Sequence, residues 1–223
     1  MVPGIRLVLL GKQGAGKGTQ CVRLARHYVV SHVSTGDIFR AAVRSESDLG
    51  KQVKGFLDAG DLVPDEVTLA AVNERLNHPD TRNRGFILDG FPRSVSQADG
   101  LDKLLDPNKL DMVIDLHIST EEALSRLNGR RVCQTCQAIY HVSKPPKYDW
   151  TCDNCGGDVV QRDDDTDDAI RRRLQLYETE TAPLIDYYSA RAMLVTVDGL
   201  GTTDQVADRL VEAIDRQREP GNH

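Results

Sequence analysis

Along the chain, short continuous apolar runs alternate with longer stretches in which apolar residues return every three or four positions. The runs are IRLVLL (5–10), YVVSHVS (28–34), GFILD (85–89), DMVIDLHI (111–118) and AMLVTVD (192–198). They are rich in β-branched residues and mostly lack the alternation of a strand with one wet face. Such runs predict central strands of a parallel sheet covered on both sides by helices. The helical period is equally legible: Cys21, Leu24, Ala25 and Tyr28 share one face, as do Ile170, Leu174 and Tyr177. In STEEALSRL (119–127), Ser119 with Glu122 three residues on marks a capped helix start, and Gly129 marks its end. Strand followed by helix over most of the length predicts an α/β fold. The expected form is a doubly wound parallel five-stranded sheet with ligands at the carboxyl ends of its strands.

Two segments break the alternation. Residues 35–65 carry helix signals and no strand, and residues 130–162 carry cysteines. Both are expected to be insertions above the sheet, leaving 1–34, 66–129 and 163–223 as the core.

Composition narrows the picture only a little. The chain has 223 residues, 39% hydrophobic and 28% charged, enough for a substantial core without cysteine staples. Its first apolar run ends at a glycine-rich loop, which reads as a buried strand and neither a signal peptide nor a membrane span. A cytoplasmic protein is therefore expected, in a compartment where disulfides are uncommon. The net charge of −6 argues against generic affinity for nucleic acid or anionic membrane. An anionic ligand must be held by local arginines and lysines.

Those local cations begin at once. LLGKQGAGKGTQ (9–20) follows the first strand and opens the first helix. Against the phosphate-loop template G-x-x-x-x-G-K-[ST], Gly11, Gly16 and Lys17 match, while Gly18 precedes Thr19. The glycines let successive backbone N–H groups turn inward around phosphate oxygens, the helix N-terminus adds partial positive charge, and Lys17 reaches the phosphates. A ligand-free glycine-rich turn is the plainer alternative, and the lysine between strand and helix argues against it.

The second constellation is CQTCQAIYHVSKPPKYDWTCDNCG (133–156). Cys133, Cys136, Cys152 and Cys155 form two C-x-x-C pairs fifteen residues apart, a spacing that fits zinc; two disulfides or a redox centre are the alternatives. Four thiolates complete a tetrahedral shell and leave no open position, so the metal is expected to fold the insertion and take no part in catalysis. Trp150 is expected to pack the insertion's small interior, His141 to lie on the surface, and Cys21 to be a small buried hydrophobe.

Taken together, GKQGAGKGTQ, STGDIFR (34–40), LDGFPRS (88–94), GRRVC (129–133) and RDDDTDDAIRRRL (162–174) resemble, in order and spacing, the adenylate kinase family. The cysteine insertion is similar to the zinc-bearing long lid of its bacterial members. The resemblance implies a P-loop NTPase-type sheet with an inserted NMP-binding helical segment and a zinc-bearing lid. It implies the reaction ATP + AMP ⇌ 2 ADP with Mg²⁺, by a chain that works as a monomer in adenine nucleotide homeostasis. On the ATP side it implies Gly14, Ala15, Gly16, Lys17, Gly18, Thr19, Arg126, Arg130, Tyr140 and Gly201. On the AMP side it implies Thr35, Arg40, Leu62, Val63, Gly90, Arg93, Gln97, Arg162 and Arg173. Lys17, Arg93, Arg130, Arg162 and Arg173 become the catalytic cations, and Asp37 and Asp89 hold Mg²⁺ through water. Phosphoryl transfer needs positioning and charge neutralisation more than a nucleophile, so a set of arginines suits it.

The loop departs from the family in having Lys12 and Gln13 where proline and small residues are common, and Lys12 is expected to add a cation near the phosphates. Two rival readings differ in class. Another nucleoside monophosphate kinase, for UMP, CMP or GMP, would differ mainly in residues 35–65 and Gln97. A zinc-ribbon nucleic-acid-binding NTPase would want a basic face with interleaved aromatics, whereas this chain is acidic with 5% aromatics.

Overall fold

The computed structural model describes residues 4–218; the ends of the expected core segments, 1–3 and 219–223, lie outside them. In chain order the elements are β1 (Ile5–Leu10), α1 (Lys17–Tyr28), β2 (Ser31–Ser34), α2 (Thr35–Arg44), α3 (Asp48–Ala59), α4 (Asp65–Leu76) and α5 (Pro79–Arg84). They continue with β3 (Gly85–Asp89), α6 (Val95–Leu105), β4 (Met112–His117), α7 (Thr120–Asn128), β5 (Arg130–Cys133), β6 (Ile139–His141) and β7 (Val159–Val160). Then come α8 (Asp167–Leu176), a π-helical turn (Tyr177–Thr181), α9 (Pro183–Ser189), β8 (Leu194–Asp198) and α10 (Thr203–Arg218).

Five strands form one parallel sheet in the order β2-β3-β1-β4-β8. Alternate residues feed opposite cores. Ile5, Leu7 and Leu9 of β1 pack with Leu24, Ile114, Leu210 and Ile214, whereas Val8 and Leu10 pack with Val33, Leu88, Leu101 and Leu184. Both faces are covered, which is why β1 reads as an unbroken apolar run. The register sets Ser34 and Leu9 each opposite Asp89, so the ends of three strands open at one level. Among the described residues no helix is long and apolar enough to cross a membrane.

The predicted second strand starts three residues late. Tyr28 ends α1, and Val29 caps it in the left-handed conformation (φ 55°), donating its N–H to Ala25 O. The helical face that includes Tyr28 wins over the β-branched pair because Tyr28 packs on the core with Leu24. Ser119 caps α7 as expected, accepting from Glu122 N at 3.2 Å. The carboxylate of Glu122 instead takes Arg126 Nε at 2.6 Å, so the box is half made. Gly129 ends this helix without a left-handed turn (φ −91°). A Cβ there would meet the His141 ring, which would have to turn aside.

Between β2 and β3, α2 and α3 pack around Phe39, Val53 and Val63. After α7 the chain forms a small antiparallel sheet, β6-β5-β7. Its interior is Cys133, Cys152 and Val159, with Ala138 and Tyr140 against them. Trp150 does not fill that interior: it is 38% exposed, in a left-handed turn (φ 54°), and Tyr140 takes the expected place. A tryptophan is too large for a core whose middle is already occupied by sulfur atoms.

Candidate active site

The carboxyl ends of the strands open into one cleft of about 850 Å³. Gly11 and Gly14 turn the loop after β1 with φ of 134° and 88°. A Cβ on Gly14 would stand 2.8 Å from Ala123 O, so glycine lets this loop lie on α7. Lys17 folds back over the loop and donates to Gly11 O at 2.5 Å and Lys12 O at 2.9 Å. Burial lowers its pKa to about 8, and Arg93 and Arg130 reinforce the drop against the opposing pull of Asp89 and Cys21.

Arg126 spans the loop and the end of β8, donating to Ala15 O at 3.3 Å and Gly199 O at 3.1 Å. On the opposite wall, Thr35 Oγ1 donates to Gly90 O at 2.8 Å, and Arg93 Nε donates to the same carbonyl at 2.8 Å. Gln97 accepts from Arg93 N at 2.8 Å, and its amide donates to Asp65 at 2.7 Å. Asp37 pairs with Arg40 at 2.6 Å.

Between the walls lies a cationic cluster with its own internal counterions. Asp165, whose side chain is fully enclosed, accepts from Arg130 Nε at 2.8 Å and Arg173 Nη1 at 3.1 Å. Asp164 takes the other nitrogen of Arg173 at 2.6 Å and lies 3.9 Å from Arg40. Arg162 has a buried Nε with no hydrogen-bond partner among the described residues. Its burial, together with Arg130 and Arg40, pulls its pKa down to about 10. Arg93 is likewise lowered to about 10 by burial and by Arg173. Counting Arg40, Arg93, Arg130, Arg162, Arg173 and Lys17 against Asp37, Asp89, Asp164 and Asp165 leaves positive charge in surplus. Cations that depress one another in a cleft are matched to an anionic ligand with several charges.

All the expected nucleotide-contact residues border this one cleft. They include Gly14–Thr19, Leu62, Val63, Tyr140 and Gly201, which come from four separate stretches of the chain. Asp37 and Asp89 border it as well.

Lys12 is placed otherwise than expected. Its ammonium turns away from the phosphate position onto Glu178 at 2.9 Å and Thr120 Oγ1 at 3.0 Å, and lies 5.8 Å from the Tyr177 ring centre. An acid and a hydroxyl from two other elements lie within its reach and hold it there. Sequence reading missed the π-helical turn that supplies Glu178. Thr181 of that turn donates to Arg93 O at 2.8 Å, so five residues tie the loop after β1 to the opposite wall. Burial, with the Asp115 carboxylate and Glu178 nearby, raises the pKa of Tyr177, and burial raises that of Asp115 itself. Periodicity carries no signal for a π turn, whose contacts exist only once α8 meets β4.

The four clustered thiols are free and stand sulfur to sulfur, Cys133–Cys155 and Cys136–Cys152 each at 3.5 Å. That is far beyond a disulfide and near the edge of a tetrahedron around zinc, about 3.8 Å for Zn–S of 2.3 Å. Backbone N–H groups of Cys136 and Asn154 donate to the sulfurs of Cys133 and Cys152 at 3.4 Å. The Tyr140 hydroxyl and the amides of Asn154 and Cys155 draw Cys152 down to about 6, while, against the Ala138 amide, burial and the three neighbouring thiols push Cys136 up to about 12. Four adjacent thiols cannot all ionise without a cation among them, so the donor set fits Zn²⁺.

A model of the adenylate kinase family matches residues 9–193. The chain is 48% identical to an adenylate kinase of Streptomyces avermitilis over 217 residues, 96% of this chain and 98% of that protein. It is 49% identical to one from Acidothermus cellulolyticus, covering 94% and 98%. For Thermodesulfovibrio yellowstonii the figures are 45%, 96% and 100%. With the loop, the arginine cluster and the cysteine knuckle all in place, the chain belongs to the adenylate kinase family, phosphotransferases that interconvert ATP and AMP with two ADP.

Proposed function

We propose that the cleft seats ATP and AMP end to end and passes the γ-phosphoryl group directly between them. The cationic surplus of the cleft carries this reading: Arg93 and Arg162, whose pKa values are lowered by burial and by neighbouring arginines, are stabilised by phosphate oxygens. The loop amides of Gly14–Thr19 and Lys17 take the triphosphate, with Arg126, Arg130, Tyr140 and Gly201 around the rest of ATP. Thr35, Arg40, Gly90, Arg93 and Gln97 take AMP, with Leu62 and Val63 against its base. Arg130, Arg162 and Arg173 neutralise the equatorial oxygens as an AMP phosphate oxygen attacks in line and ADP departs.

Mg²⁺ supplies further neutralisation on the triphosphate. Asp89 and Asp37, both at the cleft, suit water-mediated holding of so strongly hydrated an ion. Zn²⁺ in the four-cysteine shell fixes the small sheet that carries Tyr140. We take 35–65 and 130–162 to be units that close on the core and exclude water, which would otherwise compete for the phosphoryl group. A monomer in the cytoplasm is the expected form. AMP is the expected acceptor.

Alanine variants with separate titrations of each substrate test the assignment. Arg126→Ala raises KM for ATP at least tenfold with little change for AMP, and Arg93→Ala does the converse. Equal effects on both substrates, or turnover with UMP, CMP or GMP matching that with AMP, refute it.

A further inference from the structure

Behind the phosphate loop, three side chains from three elements converge. Cys21 of α1 is wholly buried, His32 extends from β2, and Asp89 ends β3. Their sulfur, imidazole nitrogen and carboxylate oxygen lie within 4.8 Å of one another. Packing accounts for the thiol, which is a small apolar group in the main core. It does not account for His32. The Nε2 of His32 is buried without a hydrogen-bond partner among the described residues and stands 3.5 Å from Asp89 Oδ2. That gap is long for a hydrogen bond. It matches the N···O edge of a tetrahedron around zinc, about 3.3–3.5 Å from Zn–N and Zn–O bonds of 2.0–2.2 Å.

We propose that Cys21, His32 and Asp89 form a second metal site, which takes Zn²⁺ or a similar borderline divalent cation when nucleotide is absent and thereby inhibits the enzyme. Thiolate, imidazole and carboxylate are a donor set for such ions, and Mg²⁺ has no use for the sulfur. His32 and Asp89 border the cleft, so the ion enters from the nucleotide side and its fourth position faces that side. Binding sends the thiol proton to solvent. Lys17 and Arg93 are the neighbouring cations that oppose the ion, and Asp89 together with the thiolate offsets them. The site is unlike the four-cysteine shell in having an open position, and it is occupied at the expense of the nucleotide. Inhibition follows because an Asp89 bound to zinc is withdrawn from the triphosphate's Mg²⁺. This second half rests on the role proposed above for Asp89; the binding half does not.

The test uses the full chain with its four-cysteine site already filled with zinc. Without nucleotide, Zn²⁺ is titrated against a competing colorimetric chelator, and Co²⁺ is titrated for the absorption of a thiolate–cobalt bond. Wild type takes one further equivalent and shows the cobalt–thiolate band. Cys21→Ala and Cys21→Ser, which keep normal ADP disproportionation in zinc-free buffer, show neither. With free Zn²⁺ held constant by a metal buffer, preincubation inhibits wild type at least tenfold more than Cys21→Ala, and prior MgATP protects it. No further equivalent in wild type, or a further equivalent that survives in both variants, overturns the site. A further equivalent that leaves turnover untouched overturns the inhibitory claim and the role of Asp89 with it, while reactivity toward ATP and AMP stands apart from either result.

Discussion

The ammonium of Lys17 gives the sharpest quantitative consequence. In the empty enzyme, burial, seconded by Arg93 and Arg130, brings its pKa from 10.5 to about 8. At about 1.36 kcal/mol per pKa unit, holding that charge in the empty cleft costs about 3 kcal/mol. The unfolded chain, with an ordinary lysine, keeps its proton where the folded chain loses it. The cost is therefore present below pH 8 and is relieved as pH rises through 8, so this group makes the empty enzyme more stable toward alkaline pH. For binding the direction reverses, because only the charged form pairs with a triphosphate. The quotient kcat/KM reports the free enzyme, and kcat the complex, in which phosphate oxygens restore the charge. We expect kcat/KM for ATP to bend downward near pH 8 and to fall about tenfold between pH 9 and pH 10, with kcat level over the same range. Direct chromatographic separation of AMP, ADP and ATP is the suitable assay, since coupling enzymes have pH dependences of their own. Lys17→Arg, whose charge persists, should lose the bend in whatever activity it retains. A level kcat/KM up to pH 9.5, or an unchanged bend in Lys17→Arg, refutes the reasoning. Arg93 and Arg162, each lowered to about 10, set the upper limit of the range.

Two further outcomes follow from the charges and the metal shell. Asp165→Asn leaves Arg130 and Arg173 facing each other without their shared, fully enclosed carboxylate; breaking such a pair costs about 3–5 kcal/mol. Thermal melting should fall sharply and kcat at least tenfold, and a wild-type melting curve contradicts this account. Cys152→Ser opens a shell whose zinc contributes about 10–16 kcal/mol of apparent binding energy in small domains. It should lose the metal and melt at lower temperature, yet turn over while folded; an inactive but fully folded, zinc-free variant would make the metal more than structural.

Much of this was legible in the sequence because it depends on neighbours along the chain. The five apolar runs became the five parallel strands, since burial on both faces demands unbroken apolar character. Glycines around Lys17 and the paired cysteines are local devices whose spacing is fixed by covalent reach. The cap at Ser119 sits where short-range hydrogen bonding puts it. Errors arose where a local rule met a distant competitor. Trp150 is left outside an interior filled by sulfur, and Lys12 is drawn aside by Glu178.

By itself, then, the order of residues determined the sheet, its loop of glycines and the four-thiol knuckle, each governed by periodicity or by a few bonds of chain. Tertiary structure alone decided that Asp165 is shared by two arginines from different segments, that a π turn joins the two walls of the cleft, and that Cys21, His32 and Asp89 meet. Those pairings join residues from separate elements, often far apart in the chain. Their energies come from burial and charge in a cleft that exists only after the strands have aligned.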